Sequence, residues 1–406
     1  MGKSKYFSGQ PIFSQLIKLL PKHLIDRVVE TFDADRYRKS FHTWSHLIVM
    51  LYSSYQQCTG LREVSTGIKA CGGRLQHLGL KTHAPKSTLG DANKDRSHLV
   101  FEEIFYAVFK HLRRFLPDSQ NSKADILHKL FILDSTTITL FKNILKAAGR
   151  PPKDGRKKGG LKVHTLMNAS EDVPCLVRIT SAATNDTKFF KFLSRLKAGS
   201  IAVFDKGYSG FYQLLKLTEK KIHWVTRQRS NSIVKIKSSR KLSDKQKAAG
   251  ILADQTVVLG HLYKEEKLCC RRVIYYDKEK NRRFEFITNN FKLTPSQIAD
   301  IYKQRWQIEL LFRRLKQNMQ LDYFLGDNEN AIRIQIWCTL IADLLLKVAT
   351  SGLKRRWSFS NLASLVRLHL MNYTNLKRFL NDPDNTPIYN PAIETEQQLK
   401  FQFSSA

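Results

Sequence analysis

Acidic residues are scarce in this sequence. Only 35 Asp and Glu stand against 68 Lys and Arg, which leaves a formal net charge of +33 over 406 residues. A surface that basic repels itself unless a polyanion neutralises it, so nucleic acid is the first class of partner and an anionic membrane the second. The membrane case lacks its usual marks. Met1 to Gln10 is polar and basic with no apolar core for a signal peptide, and Tyr6 stands where a myristoylated Gly2 would need Ser or Thr. The most apolar stretch, Ile332 to Ala349, is interrupted by Arg333, Asp343 and Lys347, as expected of a buried helix and not of a membrane span. Cys58, Cys71, Cys175, Cys269, Cys270 and Cys338 form no C-x2-C pair, which argues against a zinc module or a disulfide framework. With no secretion signal, they point to a reducing cytoplasm. Disorder is excluded for the bulk of the chain by its 42% apolar content, and no internal repeat or low-complexity tract is present. At roughly 100–200 residues per domain, the length calls for two to four units.

Residues 1–120 are expected to form a helical module. Phe13, Leu16, Ile17, Leu19 and Leu20 recur at helical spacing, and Trp44 to Tyr55 makes a second apolar helix. Basic residues flank them, Arg36, Arg38 and Lys39 on one side and Lys81, Lys86, Lys94 and Arg96 on the other, so the module suits docking on DNA; a solvated bundle is the alternative. From Leu127 the pattern becomes mixed α/β. Leu130 to Leu133 is a short apolar run ending at Asp134, Leu161 to Met167 and Val173 to Ile179 form a hairpin, and Thr187 to Leu196 is expected to be helical. Ile201 to Phe204 then ends at Asp205, followed by a helix over Phe211 to Leu217 and a strand over Ile222 to Thr226. Residues 228–290 are expected to be an all-β insertion. Thr294, Pro295 and Gln297 open a helix by a capping box and continue it to about Met319. Residues 291–350 thus return to the core, and 351–406 form a helical region and tail.

Asp134 and Asp205 draw attention because each ends an apolar run. A carboxylate at the end of a buried strand costs desolvation unless a cation or hydrogen bonds compensate it. Each could instead cap the turn that follows. In the helix after Pro295, Tyr302, Arg305, Glu309 and Lys316 lie at offsets of 0, 3, 7 and 14. At 100° per residue they fall in a stripe about 60° wide, beside the apolar face of Ile301, Ile308, Leu311, Phe312, Leu315 and Met319. An ordinary Arg305–Glu309 pair on a solvated face would also produce part of that pattern. Taken together, three carboxylates supply an oxygen-only ligand set suited to Mg²⁺ or Mn²⁺, and the phenol and two cations could hold DNA phosphates beside it.

The runs Leu133-Asp134-Ser135-Thr136 and Phe204-Asp205-Lys206-Gly207-Tyr208, followed by Tyr302-x2-Arg305-x3-Glu309-x6-Lys316, resemble the DDE transposases of bacterial insertion sequences. More narrowly, they resemble the IS-four-type group defined by a Tyr-Arg-Glu-Lys signature, over about residues 125 to 350. Phe13 to Trp44, with Ala34-Asp35-Arg36-Tyr37, also resembles the helical N-terminal module of one branch of that group. The resemblance implies an RNase H-like catalytic core, first part 125–227, with a β-rich insertion over 228–290 between Asp205 and Glu309. It implies Asp134, Asp205 and Glu309 as catalytic residues and ligands of Mg²⁺ or Mn²⁺. It also implies terminal inverted repeats and target DNA as partners, a homodimer at paired ends, and a bacterial, nucleoid-associated cytoplasmic location. Related enzymes stack a tryptophan of the insertion on a flipped base; no Trp lies between 228 and 290 here, where Tyr263, Tyr275, Tyr276, Phe284 and Phe286 are the available aromatics.

Two basic tracts complete the candidate DNA surface. Residues 142–162 hold eight basic residues against Asp154, with Lys153, Arg156, Lys157 and Lys158 at the centre of a glycine-rich loop. Lys162 and His164 follow on the strand whose outward face is expected to look toward the carboxylates. Residues 216–247 hold eleven basic residues against two acidic ones. Two other readings of the same fold are a nuclease without strand transfer and a DNA-binding relative that no longer cuts.

Overall fold

The computed structural model describes residues 9–116, 125–139, 149–150, 158–184, 186–230, 232–261 and 264–388. Its helices up to the middle of the chain are α1 (Ile12–Ile17), α2 (Lys22–Thr31), α3 (Thr43–Gln56), α4 (Leu61–Ala70), α5 (Lys86–Asp95), α6 (His98–Leu112), α7 (Asp125–His128) and α8 (Phe211–Glu219). They are followed by α9 (Asp244–Ala248), α10 (Pro295–Gln304), α11 (Trp306–Asn318), α12 (Glu329–Thr350), α13 (Phe359–His369) and α14 (Leu376–Asn381). The strands are β1 (Leu130–Thr139), β2 (Gly149–Arg150), β3 (Lys158–Asn168), β4 (Val173–Ser181), β5 (Ile201–Phe204), β6 (His223–Arg227), β7 (Val234–Ser239), β8 (Ile251–His261), β9 (Lys264–Asp277) and β10 (Arg282–Thr288). The chain divides into two compact units, residues 1–116 with 314–406, and residues 117–313. The helices after 313 therefore pack with the N-terminal ones.

The first unit is helical. α12 is buried almost throughout, and Asp343 at its middle is fully buried. Arg314 compensates that charge with two parallel bonds, Nε to Oδ1 at 2.8 Å and Nη2 to Oδ2 at 2.9 Å. Among the described residues no helix is long and apolar enough to cross a membrane, in line with the charges read from the sequence. A second buried polar network ties α3 to α5. His46 bonds Asn93 at 2.8 Å and the Arg96 guanidinium at 2.9 Å, and Arg96 in turn donates to the carbonyl of Phe41. Burial and the neighbouring Arg96 push the His46 imidazole down to about 3, so it stays neutral.

The second unit is built on one sheet in the order β4–β3–β1–β5–β6–β10–β9–β8–β7. β3 is antiparallel to both β1 and β4, so β4 points the same way as β1, and β1, β5 and β6 run parallel. This is the strand arrangement expected of an RNase H-like core. On one face Leu133, Leu166, Phe204 and Trp224 pack against α8 and a 3-10 helix, Asp186–Arg195. The sequence pattern calls for a helix there, and the helix is of the 3-10 type. The three-residue period sets Phe189 against Phe192 at i,i+3, ring centroids 4.7 Å apart, and buries Phe190 and Leu193 in the same cluster.

Three expectations are corrected. β1 does not stop at Asp134 but continues to Thr139, because β3 pairs with it over that whole length although β5 leaves it after Leu133. The insertion contains a short helix, α9, started by a Ser243–Gln246 capping box, and its strands extend the core sheet through the β6–β10 pairing. The helix opened by Thr294, Pro295 and Gln297 has the capping box as expected, but it breaks at Arg305. There the amide of Arg305 bonds the carbonyl of Tyr302, and the amide of Ile308 bonds the carbonyl of Arg305. Both are i to i−3 bonds, tighter than the α-helical ladder. The insertion is tied to the start of α10 by a buried ion pair: Arg271 binds Asp254 at 2.7 and 2.8 Å and donates to the Leu293 carbonyl.

Candidate active site

Strand register assembles the site. Leu133 pairs with Phe204, Val203 with Val225, and Arg227 with Phe286. One step beyond Leu133 and Phe204, Asp134 and Asp205 therefore share a row with Arg227 and Phe286. Side chains alternate between faces, so this row lies on the face away from the Phe189–Phe204 cluster. The buried side of α10, Ile298, Ala299, Ile301 and Tyr302, marks the helix that packs in this unit on β6 and β9.

The three acids are held by two guanidiniums. Arg305 Nη1 lies 2.6 Å from Asp134 Oδ2, and its Nη2 makes a short bond to Glu309 Oε1. Arg227 Nη2 lies 2.6 Å from Asp205 Oδ1, which also accepts a 3.5 Å bond from the Tyr302 hydroxyl. Asp205 caps its own turn as well, accepting from the Gly207 amide at 3.4 Å, so the capping alternative and the cluster hold together. Arg229 braces that turn from the carbonyls of Lys206 and Gly207. The Tyr302 ring sits between Arg227 and Arg305, 6.0 and 5.9 Å from their guanidinium carbons, and packs on Phe286 at 4.8 Å.

The two aspartates respond oppositely. Burial pushes Asp134 up to about 6, against the pull of Arg305, because its side chain is only 17% exposed. Burial acts the same way on Asp205, but the hydrogen bond and charge of Arg227 outweigh it and hold that carboxyl below its ordinary value. Burial raises the Tyr302 phenol despite both arginines. The Nε atoms of Arg227 and Arg305 are buried without a hydrogen-bond partner. Three carboxylates facing two guanidiniums leave the group one positive charge short.

The donor set fits a hard divalent cation in its chemistry, being all carboxylate oxygen, and the charge deficit at Asp134 favours one. The arrangement differs from a ready cage. Among the described residues, no three His, Cys, Asp or Glu side chains are gathered to hold a metal ion. Asp134 and Glu309 meet at Arg305 instead.

Residues 126–345 match the transposase DDE domain. The chain belongs to the DDE transposase family. Residues 8–81 match a domain of unknown function (DUF4372). A Sinorhizobium fredii transposase, y4zB, is 31% identical over 280 residues, spanning 68% of this chain and 75% of that protein. A Synechocystis transposase for insertion sequence element IS4SA is 28% identical over 272 residues, spanning 64% and 71%. A solved piggyBac transposase synaptic complex with hairpin DNA covers 90% of this chain and 81% of its own, at 9% identity and a TM-score of 0.43.

In this DDE transposase Lys162 and His164, also expected at the site, lie off the carboxylate face. Lys162 and His164 pair with Thr137 and Ser135, which puts them on the opposite face of β1 and β3 from Asp134. The expectation that they look toward the carboxylates fails by one step of register. His164 is 1% exposed, stacked on Phe189 and bonded to Thr180 Oγ1, so it offers a duplex no surface. Lys162 donates to the Thr184 carbonyl. Lys153, Arg156 and Lys157 fall outside the described residues, as does the side chain of Lys158. Lys316 lies on α11 past the point where the chain enters the other unit.

The sequence reading missed two residues of this transposase. Arg227 ends a strand with nothing in its local pattern to set it apart from the basic tract around it. Trp306, next to Arg305, is 48% exposed, with Lys280 and Arg313 each 5.8 Å from its ring. Its position beside Arg305 was the available signal.

Proposed function

We propose that this chain is an insertion-sequence transposase of the Tyr-Arg-Glu-Lys group. It binds terminal inverted repeats, hydrolyses one strand to free a 3′-hydroxyl, and uses that hydroxyl to attack target DNA. The observation that carries this reading is the single row of Asp134, Asp205 and Arg227, met from the helix side by Tyr302, Arg305 and Glu309.

Asp134, Asp205 and Glu309 would hold Mg²⁺ or Mn²⁺. Two such ions, when bound, stabilise the attacking and leaving oxygens of an in-line phosphodiester displacement. Arg227 keeps Asp205 ionised and aimed. Tyr302, between two cations, presents a hydroxyl at the same carboxylate. Phe286, Phe284 and Tyr275 stack behind it and fix its ring. The basic surface supplies sequence-independent phosphate attraction. A homodimer at paired ends, acting in the bacterial nucleoid, belongs to the same proposal.

Nicking of supercoiled DNA in Mg²⁺ tests the reading. Asp134→Asn, Asp205→Asn and Glu309→Gln should each abolish nicking and leave duplex binding measured in a chelator near the parent level, since each removes a ligand charge and little volume. Near-normal nicking by any one of them would refute its place in the triad. Transfer of a cut end into a second duplex separates a transposase from a nuclease of the same fold.

A further inference from the structure

We propose that Arg305 is an exchangeable counter-ion: it holds Asp134 and Glu309 together before metal binds, and on release it takes a DNA phosphate, linking metal binding to DNA binding. This rests on the triad reading above and adds to it a mechanism of coupling.

Four observations carry the inference. Arg305 bridges two acids that are 175 positions apart in sequence (309 − 134 = 175), at 2.6 Å from Asp134 and by a short bond to Glu309. It thereby occupies the point on which those carboxylates converge, and among the described residues no acid cluster is otherwise gathered for a metal. A guanidinium brings one positive charge where a divalent cation brings two, and the acids here outnumber the guanidiniums facing them. The bridge is also imperfectly satisfied, since Arg305 Nε is buried without a partner. Lastly, Arg305 stands at the break between α10 and α11 and not within a continuous α-helical ladder.

The consequences are reciprocal. Asp134 Oδ1 already accepts the Ser135 amide and Oδ2 the Arg305 guanidinium, so a cation held between Asp134 and Glu309 competes with Arg305 for Asp134 Oδ2 and loosens the bridge at that acid. Once released, it is a fork of donors on the site face of a very basic protein, and a phosphate matches that fork in charge and geometry. A duplex that captures Arg305 then favours metal binding, and metal favours the duplex by the same factor.

The test titrates Mn²⁺ into the full-length protein without DNA, following free Mn²⁺ by electron paramagnetic resonance. Arg305→Gln should bind Mn²⁺ about tenfold or more tightly than the parent, with Arg305→Lys between them; the range for a charge-assisted contact is about ten- to a hundredfold. In a second arm, a short mixed-sequence duplex is bound at constant ionic strength with and without Mn²⁺. The parent should gain about tenfold in affinity from the metal, and Arg305→Gln should gain far less. Weakened or unchanged Mn²⁺ binding by a folded Arg305→Gln protein would overturn the exchange, as would equal metal dependence of duplex binding in the two proteins. If the parent binds no Mn²⁺ that Asp205→Asn removes, the triad reading itself falls. Circular dichroism of each variant establishes that it is folded.

Discussion

Replacing Asp134 with Asn should stabilise the protein while ending cleavage. In the folded chain burial raises the Asp134 carboxyl from 3.8 to about 6. Each tenfold gain in proton affinity corresponds to about 1.4 kcal/mol, so the ionised form is disfavoured by about 3 kcal/mol relative to the unfolded chain. The folded state binds the proton more tightly than the unfolded state. Its contribution is therefore fully favourable below about pH 4 and is lost as pH rises through about 6. Asn keeps the shape and its one oxygen can still accept the Ser135 amide, now bonded to Oδ1; it gives up the bond from Arg305 Nη1 to Oδ2 but carries no charge to desolvate. With about 1–3 kcal/mol recovered at neutral pH, and about 2–4 °C per kcal/mol for a domain of this size, a rise of several degrees follows. The assay is thermal and urea unfolding of parent and variant in a chelator, at pH 4.5 and 7.5. The stability difference should grow toward the higher pH. A variant less stable than the parent at pH 7.5, or a difference independent of pH, would show that Arg305 compensates the buried charge in full and would refute the argument.

Asp205 has the opposite sign. Arg227 holds its carboxyl below the ordinary value, so its stabilising contribution is present at neutral pH and lost as pH falls through that lowered pKa; Asp205→Asn should lower the melting temperature at pH 7.5 in the same assay. Arg227→Gln should slow single-turnover nicking by roughly ten- to a hundredfold, while duplex affinity in a filter-binding assay changes much less. Arg314→Met leaves Asp343 buried and unpaired, which should cost about 3–5 kcal/mol in urea unfolding, and adding Asp343→Leu should recover most of it. Trp306→Ala should weaken binding to a duplex with an unpaired end by about tenfold, as expected for one lost base–aromatic stack, with little effect on a fully paired duplex.

The core was legible where local pattern and tertiary role agree. The apolar runs before Asp134 and Asp205 are strands in adjacent positions, and the Thr294–Gln297 capping box starts a helix, because burial and capping both act within a few residues. Legibility failed where a distant partner decides. Nothing within ten residues of Asp134 tells that β3 pairs on past it, so the strand's true end at Thr139 was hidden. Lys162 and His164 were assigned to the wrong face for the same reason. Side-chain parity on β3 is set by its register against β1, and a one-residue error inverts it. The stripe of Tyr302, Arg305 and Glu309 assumed an unbroken helix; the break at Arg305 changed the geometry but kept the three side chains on one site.

The same distinction explains why the three acids stand out in sequence while their electrostatics do not. An acid at the end of an apolar run is visible in sequence, and so is a helix opened by a capping box. Which cation faces which acid depends on how strands separated by 22 positions, Asp205 and Arg227, meet across the sheet. That pairing makes Asp205 a fixed anion. Asp134, sharing its cation with Glu309, remains undercompensated. Two aspartates that look alike in sequence thus differ in how readily they take a proton, and the difference comes from Arg227 and from the number of acids Arg305 has to serve.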